Sequence, residues 1–268
     1  PPLFFAHLRQ WNMTMQSFYT AALAALLALP AAAHEYTAGA LTVDHPMAYE
    51  TPKTARVGGG YLTITNGGDT ADRLVSIDLH SGQIQGFFEG PVDHLTAAPV
   101  LIEYLDGVIP DGSVIVSPDT GRVKVAERYA KKLDCEVATI YKRRSLNTAN
   151  EVEALGVMGD VNGRTCVIID DMVDTAGTIC AAVDTLISHG AADVLCATTH
   201  AVFSGPAVER LESSALSRVI VTDTVPLPDS KRFDKLEVLS AAGILADALE
   251  SVFEDTSVSE IFDGENHS

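Results

Sequence analysis

The chain has 268 residues, 36 of them acidic against 18 basic, for a formal net charge of −18. A surface that acidic repels polyanions, which excludes non-specific binding to nucleic acid or to an anionic membrane. The length allows one large domain or two modest ones with a genuine apolar core. Residues 1–77 hold four basic and five acidic residues, a net −1, so almost all of the acidity lies beyond them. The four cysteines, Cys135, Cys166, Cys180 and Cys196, also lie there. Each sits among apolar residues and none forms a Cys-x-x-Cys pair, which points to buried free thiols and a reducing, cytoplasmic setting for residues 78–268.

The chain begins differently. "FYTAALAALLALPAAAHEY" is an apolar run with the length of a signal-peptide core, too short and Ala-rich for a stable membrane span. Ala31-Ala32-Ala33 supplies a small-residue cleavage site, and Met13 and Met15 are candidate starts. On that reading "PPLFFAHLRQWN" is upstream read-through. No Lys or Arg lies between Met13 and the apolar run, and a buried Ala-rich helix is the alternative. From Tyr36 to Ile77 the pattern predicts strands. "ALTVDHP", "GGGYLTITN" and "DRLVSI" are short alternating or β-branched runs punctuated by Pro, Gly and Asn-Gly-Gly. About forty such residues cannot close a sandwich core alone.

After Asp78 apolar strands alternate with amphipathic helices. "GSVIVS" reads as a buried strand, "KVAERYAKKL" as a helix, and "EVATIY" and "TCVIID" as strands. A helix from Thr178 carries Ile179, Val183, Leu186 and Ile187 on one face and ends at Gly190. "ADVLCAT", "SRVIVT" and "KLEVLS" supply further strands and "AAGILADALESVF" a last helix. The pattern predicts an α/β fold with a doubly wound, mostly parallel sheet, preceded by an incomplete β fragment. In such sheets ligands bind beyond the carboxyl ends of the strands.

One stretch carries most of the chemistry. In "VIIDDMVDTAGT" an apolar strand ends in Asp170-Asp171 and turns through a Gly-containing loop into a helix. Backbone N–H groups from Asp174 through Thr175, Ala176 and Gly177 to Thr178 can cradle a phosphate, and the two threonines add hydroxyls. A bare phosphate site would not want acids beside it. A sugar phosphate would, because carboxylates accept hydrogen bonds from ribose hydroxyls, directly or through Mg2+. The plainer alternative is an ordinary strand–turn–helix capped by Asp174.

That string resembles the phosphoribosyl-binding motif of type I phosphoribosyltransferases. The stretch 71–268 resembles the ribose-phosphate pyrophosphokinases (PRPP synthetases), through "DLHSGQIQGFF" (78–88), "PVDHLTAAPVL" (91–101), "SPDTG" (117–121), "KRR" (142–144), "TTHAVFSGPA" (198–207) and "SVSEIF" (257–262). The resemblance implies pyrophosphate transfer from ATP to ribose 5-phosphate, giving PRPP for nucleotide biosynthesis, in a homo-oligomer. It implies that His80 and Asp119 help hold Mg2+ and that Lys142 and Arg144 are the catalytic basic pair. Read without it, His80 is a structural histidine and "KRR" a solvated charge run. Tyr141 stands where the family usually has Asp.

The family's N-terminal half, which supplies most ATP contacts, has no equivalent in residues 1–70. Residues 34–77 instead resemble the start of the periplasmic copper chaperones of the PCu(A)C type, a cupredoxin-like sandwich whose ligands come later; His45 and Met47 match an early strand. The expected domains are a signal-like segment (1–33), a truncated β fragment (34–77) and the synthetase-like domain (78–268). "ADRLVS" suits both families, so the expectation is a chimera joined within Ala71–Ile77. It would keep the ribose 5-phosphate side and have little synthetase activity. Two other functions stand beside it: a non-catalytic ribose-phosphate-binding or regulatory subunit, and an exported copper-binding protein whose ligands are absent. The "RLVSIDLH" strand is expected to lack its neighbours, with an autonomous core over about 95–255.

Overall fold

The computed structural model describes residues 36–38, 41–48, 60–66, 73–143, 154–254 and 256–262. The signal-like run before Tyr36 and Arg144 of the basic pair lie outside them. Contacts divide the chain into two units, Pro1–Asp72 and Arg73–Ser268.

In the first unit β1 (Tyr36–Ala38), β2 (Leu41–Ala48) and β3 (Gly60–Asn66) form an antiparallel sheet in chain order. The β2–β3 register slips between Asp44 and Met47, at His45-Pro46. Proline has no N–H to give the ladder, so an irregularity is the expected outcome there.

The second unit opens with β4 (Leu74–Ile77) and β5 (Val92–Leu95), a parallel pair. The strand expected to lack a neighbour therefore has one, and contacts place it with the second unit rather than with the β fragment. There follow α1 (Ala98–Asp106), β6 (Val114–Ser117), α2 (Val123–Leu133), β7 (Glu136–Arg143) and β8 (Ala154–Met158). Next come β9 (Thr165–Val173), α3 (Gly177–Ser188), β10 (Asp193–Ala201), α4 (Ala207–Ser213), β11 (Arg218–Thr222), β12 (Leu236–Leu239) and α5 (Ala242–Phe253). Seven strands form one sheet in the order β12-β11-β10-β9-β6-β7-β8, parallel except for β8, which runs antiparallel to β7. This is the doubly wound sheet expected. The sequence reading did not anticipate β5, β8, α1 or α4, which are short or, in β8, interrupted by Gly156.

Alternation sorts the core. In β9, Cys166 and Ile168 join α3 and α4 on one face, and Val167 and Ile169 join α1 and α2 on the other. Both faces are covered, so all four residues of β6 are buried, as parallel sheets require. Each such aliphatic side chain stabilises by about 1.5–3 kcal/mol. On α3, Ile179, Val183 and Leu186 are buried as expected, but Ile187 is 41% exposed and Ala182 takes the inward position. A third cluster joins Leu95 and Ala97 to Ile244 and Ala248 of α5 and to Val258 and Phe262, with Val75 and Ile77 packed against it. The cysteines are free; Cys166 and Cys196 are buried and Cys135 and Cys180 half-buried.

The chain leaves β6 for β7 on one side and returns to β9 on the other. The winding direction thus reverses between β6 and β9, and a crevice opens beyond their carboxyl ends. "SPDTG" leaves β6 there, and β9 brings the two aspartates.

Candidate functional site

β9 carries Asp170 and Asp171 towards its carboxyl end, on opposite sides of the sheet. Asp171 is 5% exposed. Its Oδ2 accepts from His80 Nδ1 at 2.7 Å and pairs with Arg122 Nη2, while Oδ1 is buried with no hydrogen-bond partner. Asp170 Oδ1 accepts the Asp171 backbone N–H at 2.9 Å and lies 3.7 Å from Arg122 Nε. Burial pushes the Asp170 carboxyl up to about 7, the adjacent Asp171 charge adding to the shift. Burial acts on Asp171 in the same sense, but Asp170, Arg122 and His80 together hold its carboxyl below the usual range. One carboxylate of the pair is thus a firm anion and the other a group that titrates near neutrality.

Beyond β9 the backbone turns at Ala176, which has φ 60° and is the residue before the first turn of α3. A left-handed residue followed by a helical start directs successive N–H groups to one side. No side chain caps that helix end, which leaves the N–H groups of Gly177 and Thr178 available to an anion. Asp174 therefore does not cap α3; it is exposed, and its carbonyl accepts the Ser204 N–H at 2.9 Å. Thr175 and Thr178 are exposed on the same turn. The Thr175 carbonyl accepts from Arg210 Nη1 at 2.9 Å, which ties the loop to α4.

The expected metal residues fall on two sides of Arg122. His80 is largely exposed and touches Asp171, with its Nδ1 3.5 Å from Arg122 Nη2. Asp119 is exposed, and its Oδ1 accepts the N–H groups of Gly121 (2.8 Å) and Arg122 (3.1 Å). Among the described residues, no group of three or more His, Cys, Asp or Glu side chains is placed to hold a metal ion. Lys142 is in β7 opposite Leu155 of β8.

Several residues that build the site escaped the sequence reading. Asp78, with φ 40°, accepts through Oδ2 from the Ala97 N–H (2.9 Å) and Thr199 Oγ1 (2.7 Å). His200 Nε2 donates to the carbonyls of Ile77 and Asp78 at 3.1 and 3.2 Å. The end of β4 is thereby fixed to β10, and His80 follows two residues later. Leu79 N–H donates to His94 Nε2 at 2.8 Å. Arg122 alone left a sequence signal: a basic residue at the start of a helix opposes the helix dipole and calls for another reason to be there.

Comparison with known proteins agrees with this architecture. A family described as a phosphoribosyl synthetase-associated domain matches residues 145–263. The ribose-phosphate pyrophosphokinase of Streptomyces avermitilis is 51% identical over 194 residues, 72% of this chain and 60% of the relative. Ribose-phosphate pyrophosphokinase 1 of Streptococcus pneumoniae is 45% identical over 194 residues, with the same coverage of each. The crystal structure of phosphoribosylpyrophosphate synthetase from Mycobacterium smegmatis superposes with a TM-score of 0.63 at 49% identity, covering 69% of this chain and 60% of that one. The chain spans about 60% of the length of the curated relatives it matches. Among the described residues, no helix is long and apolar enough to cross a membrane.

Proposed function

We propose, from the membership of this span in the ribose-phosphate pyrophosphokinase family, that the chain binds ribose 5-phosphate and PRPP at the carboxyl ends of β6 and β9. One observation carries the reading: an uncapped helix start, entered through a left-handed residue, stands on the same strand end as two adjacent carboxylates. The N–H groups from Ala176 to Thr178, with the hydroxyls of Thr175 and Thr178, take the 5-phosphate. Asp170 and Asp171 accept from the ribose hydroxyls. Charge alone would repel a phosphate from these acids, so the pairing makes sense only for a ligand that also carries hydroxyl donors.

Mg2+ fits this site chemically. Asp171 presents a buried oxygen without a partner, and hard oxygen donors suit that ion. Asp171 and His80, which touch each other, would hold it together with the phosphates of the ligand, whose charge it would offset when bound. Asp119, which the family resemblance also implies, joins them in no three-residue group among the described residues. Lys142 and Arg144 would place cations against the transferring group.

We assign to the family reaction, pyrophosphate transfer from ATP, the role this fold serves in a cytoplasmic homo-oligomer. Strands β1, β2 and β3 form a sheet of their own, in keeping with a β fragment beside the synthetase-like domain, and the 60% coverage of the relatives supports little turnover by this sequence. Isothermal titration with ribose 5-phosphate tests the binding. Asp171→Asn and Thr178→Val should each weaken it about tenfold, as for loss of one charged or neutral hydrogen bond; unchanged affinity in both would overturn the site. Incubation with ATP, ribose 5-phosphate and Mg2+ tests the rest. Turnover on the order of 1 s⁻¹ would show that the sequence is a competent synthetase.

A further inference from the structure

Arg122 sits where the fold gives it no local reason to be. It precedes the first turn of α2, at the positive end of the helix dipole. The turn leading into the helix is closed by Asp119, whose Oδ1 accepts the backbone N–H groups of Gly121 and Arg122, and no side chain caps the helix itself. The Arg122 side chain turns instead to the end of β9. Its Nη2 pairs with Asp171 Oδ2, its Nε is 3.7 Å from Asp170 Oδ1, and Nη2 is 3.5 Å from His80 Nδ1. The Arg122 side chain is mostly buried, at 22% exposure, against an Asp171 side chain that is 3% exposed. One planar cation thus spans both acids, which the fork of an arginine can do and the single ammonium of a lysine cannot. It still leaves Asp171 Oδ1 buried without a partner.

We propose that Arg122 is an exchangeable counter-cation of the Asp170–Asp171 pair, which a divalent metal ion must displace to bind. The inference deepens the proposed function and rests on its reading that Asp171 of this pair helps hold a divalent cation. Two adjacent carboxylates at the end of a buried strand repel each other strongly in a poorly polarisable surrounding. A guanidinium held on them keeps the site neutralised in the absence of metal. Asp171 Oδ1 is buried, and Oδ2 is covered by Arg122 Nη2 and His80 Nδ1, so a metal ion reaches neither oxygen while the ion pair is closed. The ion pair has to open first, and the energy of that opening is subtracted from metal affinity. The released guanidinium remains beside the site, where it can meet the negative charge of a phosphate.

Titration with Mn2+ alone, read by electron paramagnetic resonance of the free ion, tests this on the full chain at low ionic strength. Arg122→Gln should bind Mn2+ about tenfold or more tighter than the unsubstituted chain, and Arg122→Lys should fall between them. Equal or weaker binding by Arg122→Gln, or no binding by either protein, overturns the proposal. The Gln variant leaves a buried carboxylate uncompensated, which costs stability, so the unsubstituted chain supplies a second readout. Its Arg122 Nε–Hε resonance, assigned by its absence from Arg122→Lys, should shift or broaden as Mg2+ saturates the site; an unmoved resonance at saturation overturns the proposal independently. Ribose 5-phosphate titrated into the same samples separates the two ideas, since retained sugar-phosphate binding leaves the proposed function standing even if Arg122 never moves.

Discussion

His94 shows how one side chain can fix another without touching it. It is 8% exposed, and its Nε2 accepts the Leu79 N–H, so that nitrogen must be unprotonated. Burial lowers its pKa, with Asp78 pulling the other way. A histidine depressed in the folded state stabilises fully above its ordinary value of about 6.5, and that contribution is lost as pH falls through the folded pKa. Protonation would set an N–H donor against the Leu79 N–H, one residue before His80. His94→Ala should therefore cost about 1–3 kcal/mol in urea melts at pH 7.5, the penalty for stranding a buried donor. The cost should shrink at pH 5, where the native histidine has itself become unfavourable. An equal loss at both values would mean that His94 acts by packing alone. At this scale legibility was local. Asp170, Asp171 and the Thr-Ala-Gly-Thr turn lie within nine residues and announce themselves as a string. Asp78, Thr199 and His200 do not, because their bonds span more than 120 residues and no short pattern records them.

At the scale of elements, β8 is the case that periodicity could not decide. "ALGVM" is five residues long, and a glycine at its centre reads as a break. The structure gives Gly156 a reason: a Cβ there would lie 2.6 Å from Tyr141 Cζ across the β7–β8 pair. Gly159, which follows the strand, is more demanding. It has φ 112°, and a Cβ would meet the Ala138 Cα at 3.0 Å and the Val137 carbonyl at 3.0 Å. A ring tip can swing aside, but backbone cannot. Gly159→Ala should destabilise the chain by about 2–4 kcal/mol, whereas Gly156→Ala should cost less, because Tyr141 can rotate. Chemical denaturation of the two variants checks the order, and the reverse order would mean that the β7–β8 pair is looser than its register implies. The consequence reaches function, since β7 carries Lys142 and its register on β8 sets where that backbone stands. The longer elements were plain from sequence because each repeats its signal. The β9 run alternates between two cores, and α3 shows the 3.6-residue spacing, with Ile187 misplaced because one residue at the margin of an apolar stripe decides nothing by itself.

At the scale of the molecule, the question is where the second unit begins. Strand grammar alone suggested a self-sufficient core from about residue 95, because "RLVSIDLH" had no evident neighbour. Pairing is a long-range property, and the neighbour proved to be β5, reached across the turn that holds Phe87. The β4–β5 pair is not an ornament on the seven-stranded sheet. Val75 and Ile77 pack with Leu95, Ile244, Ala248, Val258 and Phe262, so the first strand and the last helix of the unit share one core. Asp78 and His200 then bolt the end of β4 to β10. Cutting the chain after β4 would uncover Leu95, which is fully buried, and release the loop that bears His80. Limited proteolysis of the full chain should accordingly yield a resistant fragment that starts close to Arg73 and keeps Phe262, as mass spectrometry of the products would show. A resistant fragment starting near residue 95 would instead mean that the seven-stranded sheet stands without its third core. The β4–β5 pair and α5 would then be a separable layer, and His80 would reach Asp171 only when that layer is docked.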